Sequence, residues 1–101
     1  MKMLVQVQMP VEPFNQLVRD GSAGSTLAAM LESIRPESAY FFAPEGCRGC
    51  ILVVDIQDPA QIPSIAEPFF LKLGAQCFFH PVMSPDDLAR AGLEDLGRKW
   101  R

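Results

Sequence analysis

The sequence predicts an α+β domain of ferredoxin-like, βαββαβ order: a four-stranded antiparallel sheet with two helices on one face. Three observations predict it. Four short segments carry the alternation or the aromatic and β-branched content of strands. Crossover-length segments with helical spacing join the first strand to the second and the third to the fourth. A tight turn joins the second strand to the third. Right-handed crossovers then give the strand order 4-1-3-2. Residues 1–101 read as a single domain, with 92–101 as a C-terminal tail.

Residues 3–9, MLVQVQM, set Met3, Val5, Val7 and Met9 against Leu4, Gln6 and Gln8. This is a strand, and Pro10 ends it. Val11 to Arg19 carries Val11, Phe14, Leu17 and Val18 at helical spacing. Two glycines in 20–25 interrupt the pattern, and Ser25 is placed to cap a second helical piece with Leu27, Met30, Leu31 and Ile34 as its stripe. After Arg35-Pro36-Glu37, residues 38–43 form the second strand. Pro44-Glu45-Gly46 is a turn signal. The third strand is Cys50 to Ile56. Asp58-Pro59 is a helix start. Pro63 and Pro68 follow, so the second crossover helix is expected from about Ser64, kinked or delayed near Pro68. Gly74 stops it. Ala75 to Val82 is the fourth strand, with Pro81 marking an edge. Ser84-Pro85-Asp86-Asp87 caps a short helix through about Ala91, and the remaining tail is expected to dock through Trp100 or fray.

Composition excludes several functions. The chain is 49% hydrophobic and 21% charged, with a net charge of −3, so apolar surface outruns the polar side chains that would cover it. No basic stripe exists to release counterions from a nucleic acid. No apolar run approaches the ~20 residues that span a bilayer, and no signal-peptide pattern opens the chain. A cytoplasmic location is the expectation. Three cysteines without that pattern suggest reduced thiols.

The sheet predicts a partner. An antiparallel sheet with one wet face alternates apolar and polar residues. Here, giving the more apolar sets to the helices leaves Leu4, Ile51, Val53, Phe78 and one or two of Tyr40, Phe41 and Phe42 on the other face. A contiguous apolar patch of this kind marks an interaction surface. The expected partner is a second copy, forming a homodimer through the sheet.

Several stretches carry a family resemblance: Ala39-Tyr40-Phe41, Gly46-Cys47-Arg48-Gly49, Val53-Val54-Asp55, Ala66-Glu67-Pro68-Phe69-Phe70, and Pro81-Val82-Met83-Ser84-Pro85-Asp86-Asp87-Leu88. With the βαββαβ order, they make the chain resemble the dimeric α/β-barrel superfamily, and within it small bacterial domains of unknown function. The resemblance implies two ferredoxin-like domains packed sheet against sheet. The superfamily holds cofactor-free monooxygenases, muconolactone-isomerase-like enzymes, heme-processing enzymes and proteins of no known activity, and no signature selects one branch.

The candidate site is the polar set scattered on the open face: Gln6, Gln8, Asp55, Gln76 and His80, with Tyr40, Phe42 and Phe78 as apolar lining. A mostly apolar pocket with a few polar groups is the usual form of a small-molecule site. His80, the only histidine, is the candidate catalytic acid–base group, with Asp55 or Glu67 to orient it. Glu67 is a candidate in its own right, since Pro68 frees a carbonyl near it. The bland alternative is that these groups face solvent or bond across a dimer. Cys47-Arg48-Gly49-Cys50 is a CxxC, but it sits in a hairpin rather than at the helix N-terminus that activates a thiol, and a structural zinc needs four ligands. Arg48 is a candidate anion contact. No cofactor and no metal are called for.

Two functions follow. One is a homodimer that binds a small, largely apolar ligand between sheet and helices or at the dimer interface, with acid–base chemistry at His80. The other is a non-catalytic structural or regulatory dimerisation domain.

Overall fold

A computed structural model describes all of residues 1–101. Its elements in chain order are β1 (Lys2–Met9), α1 (Val11–Asp20), α2 (Ala23–Ile34), β2 (Ser38–Phe42), β3 (Arg48–Asp55), α3 (Ile62–Leu73), β4 (Gln76–Pro81), α4 (Pro85–Ala89) and α5 (Leu93–Lys99), with single 3-10 turns at Pro44–Gly46 and Pro59–Gln61. The sheet order is β2-β3-β1-β4, with every pair antiparallel. This is the expected 4-1-3-2 order read from the other edge.

β1 is the hub. Its odd-numbered residues lie beneath the helices, where Val5 and Val7 are fully buried and Met3 and Met9 nearly so. Cys50, Leu52 and Val54 of β3 join them, and Phe69 and Leu73 of α3 close the layer from above. No buried side-chain polar atom lacks a partner. These side chains belong to one continuous apolar cluster between the sheet and the helices.

The first crossover is two helical pieces, as the two glycines indicate. Gly21 takes φ +82 and returns its N–H to Val18 O at 3.3 Å. The second piece starts earlier than Ser25. Ser22 is held by Asp20, whose Oδ1 accepts from the Ser22 N–H at 2.9 Å, and Ser25 lies inside the helix with its hydroxyl on Ser22 O. The second crossover differs more. Asp58 caps the turn by accepting from Ala60 N–H at 2.9 Å. α3 then runs without a break from Ile62 to Leu73. Pro63 falls in the first turn, where its missing N–H costs nothing, and Pro68 sits mid-helix. Phe69 is core, whereas Phe70 is exposed.

β3 begins two residues before the expected Cys50, at Arg48. Gly49 makes the extension work. A methyl at Gly49 would sit 2.5 Å from both Val7 O and Pro44 Cγ, so only glycine lets the β2–β3 turn close over β1. Arg48, the candidate anion contact, has partners within the chain. Its Nη1 donates to Asn15 Oδ1 at 2.9 Å, and its guanidinium lies 4.9 Å from the Phe14 ring, tying β3 to α1. In the tail, Leu93–Lys99 form a helix, α5. No helix is long and apolar enough to cross a membrane.

Two substitutions test this packing by urea denaturation. Phe69→Ala should cost about 3–5 kcal/mol through the cavity it leaves. Gly49→Ala should cost about 1–3 kcal/mol by overpacking, although it adds only one methyl.

Candidate functional site

The strand register assembles the open face in rows, because residues paired across strands share a face. One row reads Ser38, Val53, Leu4, His80. The next reads Tyr40, Ile51, Gln6, Phe78. The third reads Phe42, Gly49, Gln8, Gln76. Six of the expected ligand-binding side chains and the candidate acid–base residue therefore fall on one surface: Gln6, Gln8, Gln76, Phe78 and His80, with Tyr40 and Phe42 at the β2 edge. Phe41 falls on the opposite face.

This surface is apolar in its middle and holds no Asp, Glu, Lys or Arg in the three rows. Leu4, Gln6, Gln8, Ile51 and Val53 are half-buried by their neighbours alone. Tyr40 is 69% exposed, and Phe42 and Phe78 are also exposed. None of the Gln6, Gln8, Gln76, Tyr40 or His80 side chains has a hydrogen-bond partner within the chain. Three amides and an imidazole are thus free to bond whatever covers the face, and each left unpaired there would cost about 1–3 kcal/mol.

Two expected members do not join. Asp55 pairs with Lys2 beyond the end of the rows, and its Oδ1 lies 2.9 Å from the Met1 amine. The hydrogen bond from that amine holds its carboxyl below the usual carboxylate range. Asp55 is also separated from His80 by β1. Glu67 is on α3, on the far side of the helix layer. It lines a groove of about 600 Å3 between α2 and α3 with Ser25, Ala29, Met30 and Leu71. Sequence alternation placed Asp55 on the correct face but could not show its ion pair. For Glu67, no local signal reveals which side of a helix layer it occupies.

The sequence weighed Cys47 only as part of a CxxC, not with the open face. Cys47 lines a cavity of about 230 Å3 with Gln8, Gln76, Met9, Pro10 and Gly74, at the end of the third row. The half-buried thiol thus stands beside two of the free amides, and its place in the β2–β3 turn was the available signal. Cys50 and Cys77 lie on the other face, one on each side of Val7. Burial pushes both thiols up to about 11, opposite to the shift that activates a redox cysteine. With Cys77 and His80 on opposite faces, no group of three His, Cys, Asp or Glu side chains is placed to share a metal ion.

No protein-family model matches the chain, and no curated protein matches it by sequence. Solved structures do match. One is the 5-chloro-2-hydroxyhydroquinone dehydrochlorinase TftG from Burkholderia phenoliruptrix AC1100, in complex with 2,5-dihydroxybenzoquinone. It superposes with a TM-score of 0.63 over 85% of this chain and 97% of that one, at 15% identity. The likeness is one of fold. It agrees with the expected ferredoxin-like fold, a four-stranded antiparallel sheet covered by helices.

The thiols offer a direct test. Because Cys50 and Cys77 form thiolate only as pH approaches about 11, alkylation of the native protein at pH 8 should modify Cys47 first. Labelling of the other two should rise steeply with pH, or on unfolding in urea. Peptide mass mapping reads the order.

Proposed function

We propose that two copies of the chain pack open face to open face and hold a small aromatic, oxygen-bearing ligand between them. The observation that carries this reading is the central row Tyr40, Ile51, Gln6, Phe78 with its neighbours: an uncharged, largely apolar surface that carries amides with no partner of their own. Pairing the faces buries the apolar groups, at roughly 25 cal/mol per Å2 of area removed from water. It also strands the amides unless a ligand or the opposite sheet bonds them. Phe78, Tyr40 and Phe42 supply ring faces for an aromatic ligand. Gln6, Gln8 and Gln76 donate to and accept from its oxygens. His80, one strand residue pair away from Gln6 and Phe78, is the acid–base group. The fold likeness to a protein solved with 2,5-dihydroxybenzoquinone supports the ligand class.

A second reading is a non-catalytic dimerisation domain. It is favoured by one observation: His80 lines none of the four cavities described on the single chain. In that case the amides bond across the interface and no ligand is held.

Light scattering on a concentration series should give a dimer mass, and a strict monomer at high concentration would end both readings. Calorimetric titration with 2,5-dihydroxybenzoquinone separates them. The ligand reading expects saturable binding, weakened about tenfold or more by Gln6→Leu, because one lost hydrogen bond is worth about 1.4 kcal/mol. A dimer that takes up none of the hydroxyquinone, and whose stability drops with Gln6→Leu, fits the second reading.

A further inference from the structure

Everything after β4 stands away from the body. The chain leaves the sheet at Val82, whose N–H donates to Lys2 O at 3.1 Å. From Met83 onward every residue but Asp87 is exposed. The molecule is 60 Å long with a radius of gyration of 17.1 Å, against about 13 Å for a compact domain of this size. Yet the arm is built to be ordered. Ser84 and Asp87 cap α4 reciprocally: Ser84 Oγ accepts from Asp87 N–H at 3.1 Å, and Asp87 Oδ2 from Ser84 N–H at 2.9 Å. α5 has Glu94 and Asp95 in its first turn and Arg98 and Lys99 in its last, matching its dipole. Its apolar residues Leu93, Leu96 and Trp100 fall at i, i+3 and i+7, on one stripe, and all are exposed. Helices shorter than about 12–15 residues are marginal alone in water. α5 has seven residues and contains Gly97, so it needs a surface.

The opposite edge of the sheet lacks a cover. β2 exposes aromatics on both of its faces: Tyr40 and Phe42 on the open side, and Phe41, 53% exposed, on the other. Within one chain the arm starts three strand spacings from that edge, about 14 Å away, and leads outward. A twofold axis parallel to the strands between two face-packed sheets brings each β4 over the partner's β2. The ends match as well. The arm departs level with Lys2, and β2 begins at Ser38, on the row of Leu4 next to it.

We infer that residues 83–101 are an exchange arm that, in the homodimer, crosses onto the β2 edge of the second copy, where Leu93, Leu96 and Trp100 cover Tyr40 and Phe41. The inference rests on the face-to-face dimer of the proposed function. It adds that each candidate site is closed at its β2 side by the other protomer.

Trp100 is the only tryptophan, so its fluorescence reports the arm. In the wild-type dimer its emission should be blue-shifted, with acrylamide quenching several-fold below that of a free indole. Two variants decide whether docking is in trans. Phe41→Asp keeps the reporter and spoils the target; Trp100→Phe keeps the target and is silent. Alone, the Phe41→Asp protein should show an exposed Trp100. Mixed with excess Trp100→Phe protein, it should recover the blue-shifted, protected emission as mixed dimers form. Deleting 83–101 should raise the dimer Kd by roughly a hundredfold, the loss expected for about 2.7 kcal/mol. No recovery on mixing, or a wild-type dimer with fully quenchable Trp100, overturns the arm exchange while leaving the dimer standing. A strict monomer by light scattering fails both, and does so before any fluorescence is read.

Discussion

The pairing of β1 with both β3 and β4 is the constraint on which everything else depends. β1 sits at the centre, so its register decides what faces each way on three strands at once. With Val5 opposite Leu52 and Phe79, the odd residues of β1 are roofed by the helices. With Gln6 opposite Ile51 and Phe78, the even residues make the other face. A slip of one residue would exchange the two sets. It would place Gln6 and Gln8 in a layer that now contains no buried polar side chain.

That register explains why the open face has two characters. Its apolar residues come from β3 and from the aromatics of β2 and β4, and they make a surface that water wets poorly. Its amides come from β1 and the start of β4, and they remain unpaired. The formal charges are pushed to the rim, where Lys2 meets Glu37 at 3.0 Å and Asp55 meets the Met1 amine. Each of these pairs is half-exposed and contributes little to stability. Their effect is to leave the middle of the face uncharged, and so open to an apolar partner or an aromatic ligand.

The helical side plays a different part. α1 and β3 are locked by Arg48, with Asn15 and the Phe14 ring as its partners. The groove between α2 and α3 that contains Glu67 is separated from the open face by the filled core. The C-terminal arm belongs to neither layer. Its caps and charge pairs, such as Asp95 with Arg98, give it helical form without giving its apolar stripe anywhere to go.

The sequence by itself determined the strand alternation, the topology and the apolar open face, because these follow from period-2 patterning, prolines, capping residues and handed crossovers, all of which are local or general. Gln6, Gln8, Gln76, Phe78 and His80 were legible as one surface for the same reason. Other matters were decided only in three dimensions. The continuity of α3 through Pro68 depends on packing by Ile65, Phe69 and Leu73 that outweighs one missing hydrogen bond. The diversion of Asp55 to Met1, the placing of Glu67 behind the core and the sharing of one cavity by Cys47, Gln8 and Gln76 all depend on distances between segments far apart in the chain. So does the isolation of the C-terminal helices, since a stripe of leucines states that a surface is needed but not where that surface lies.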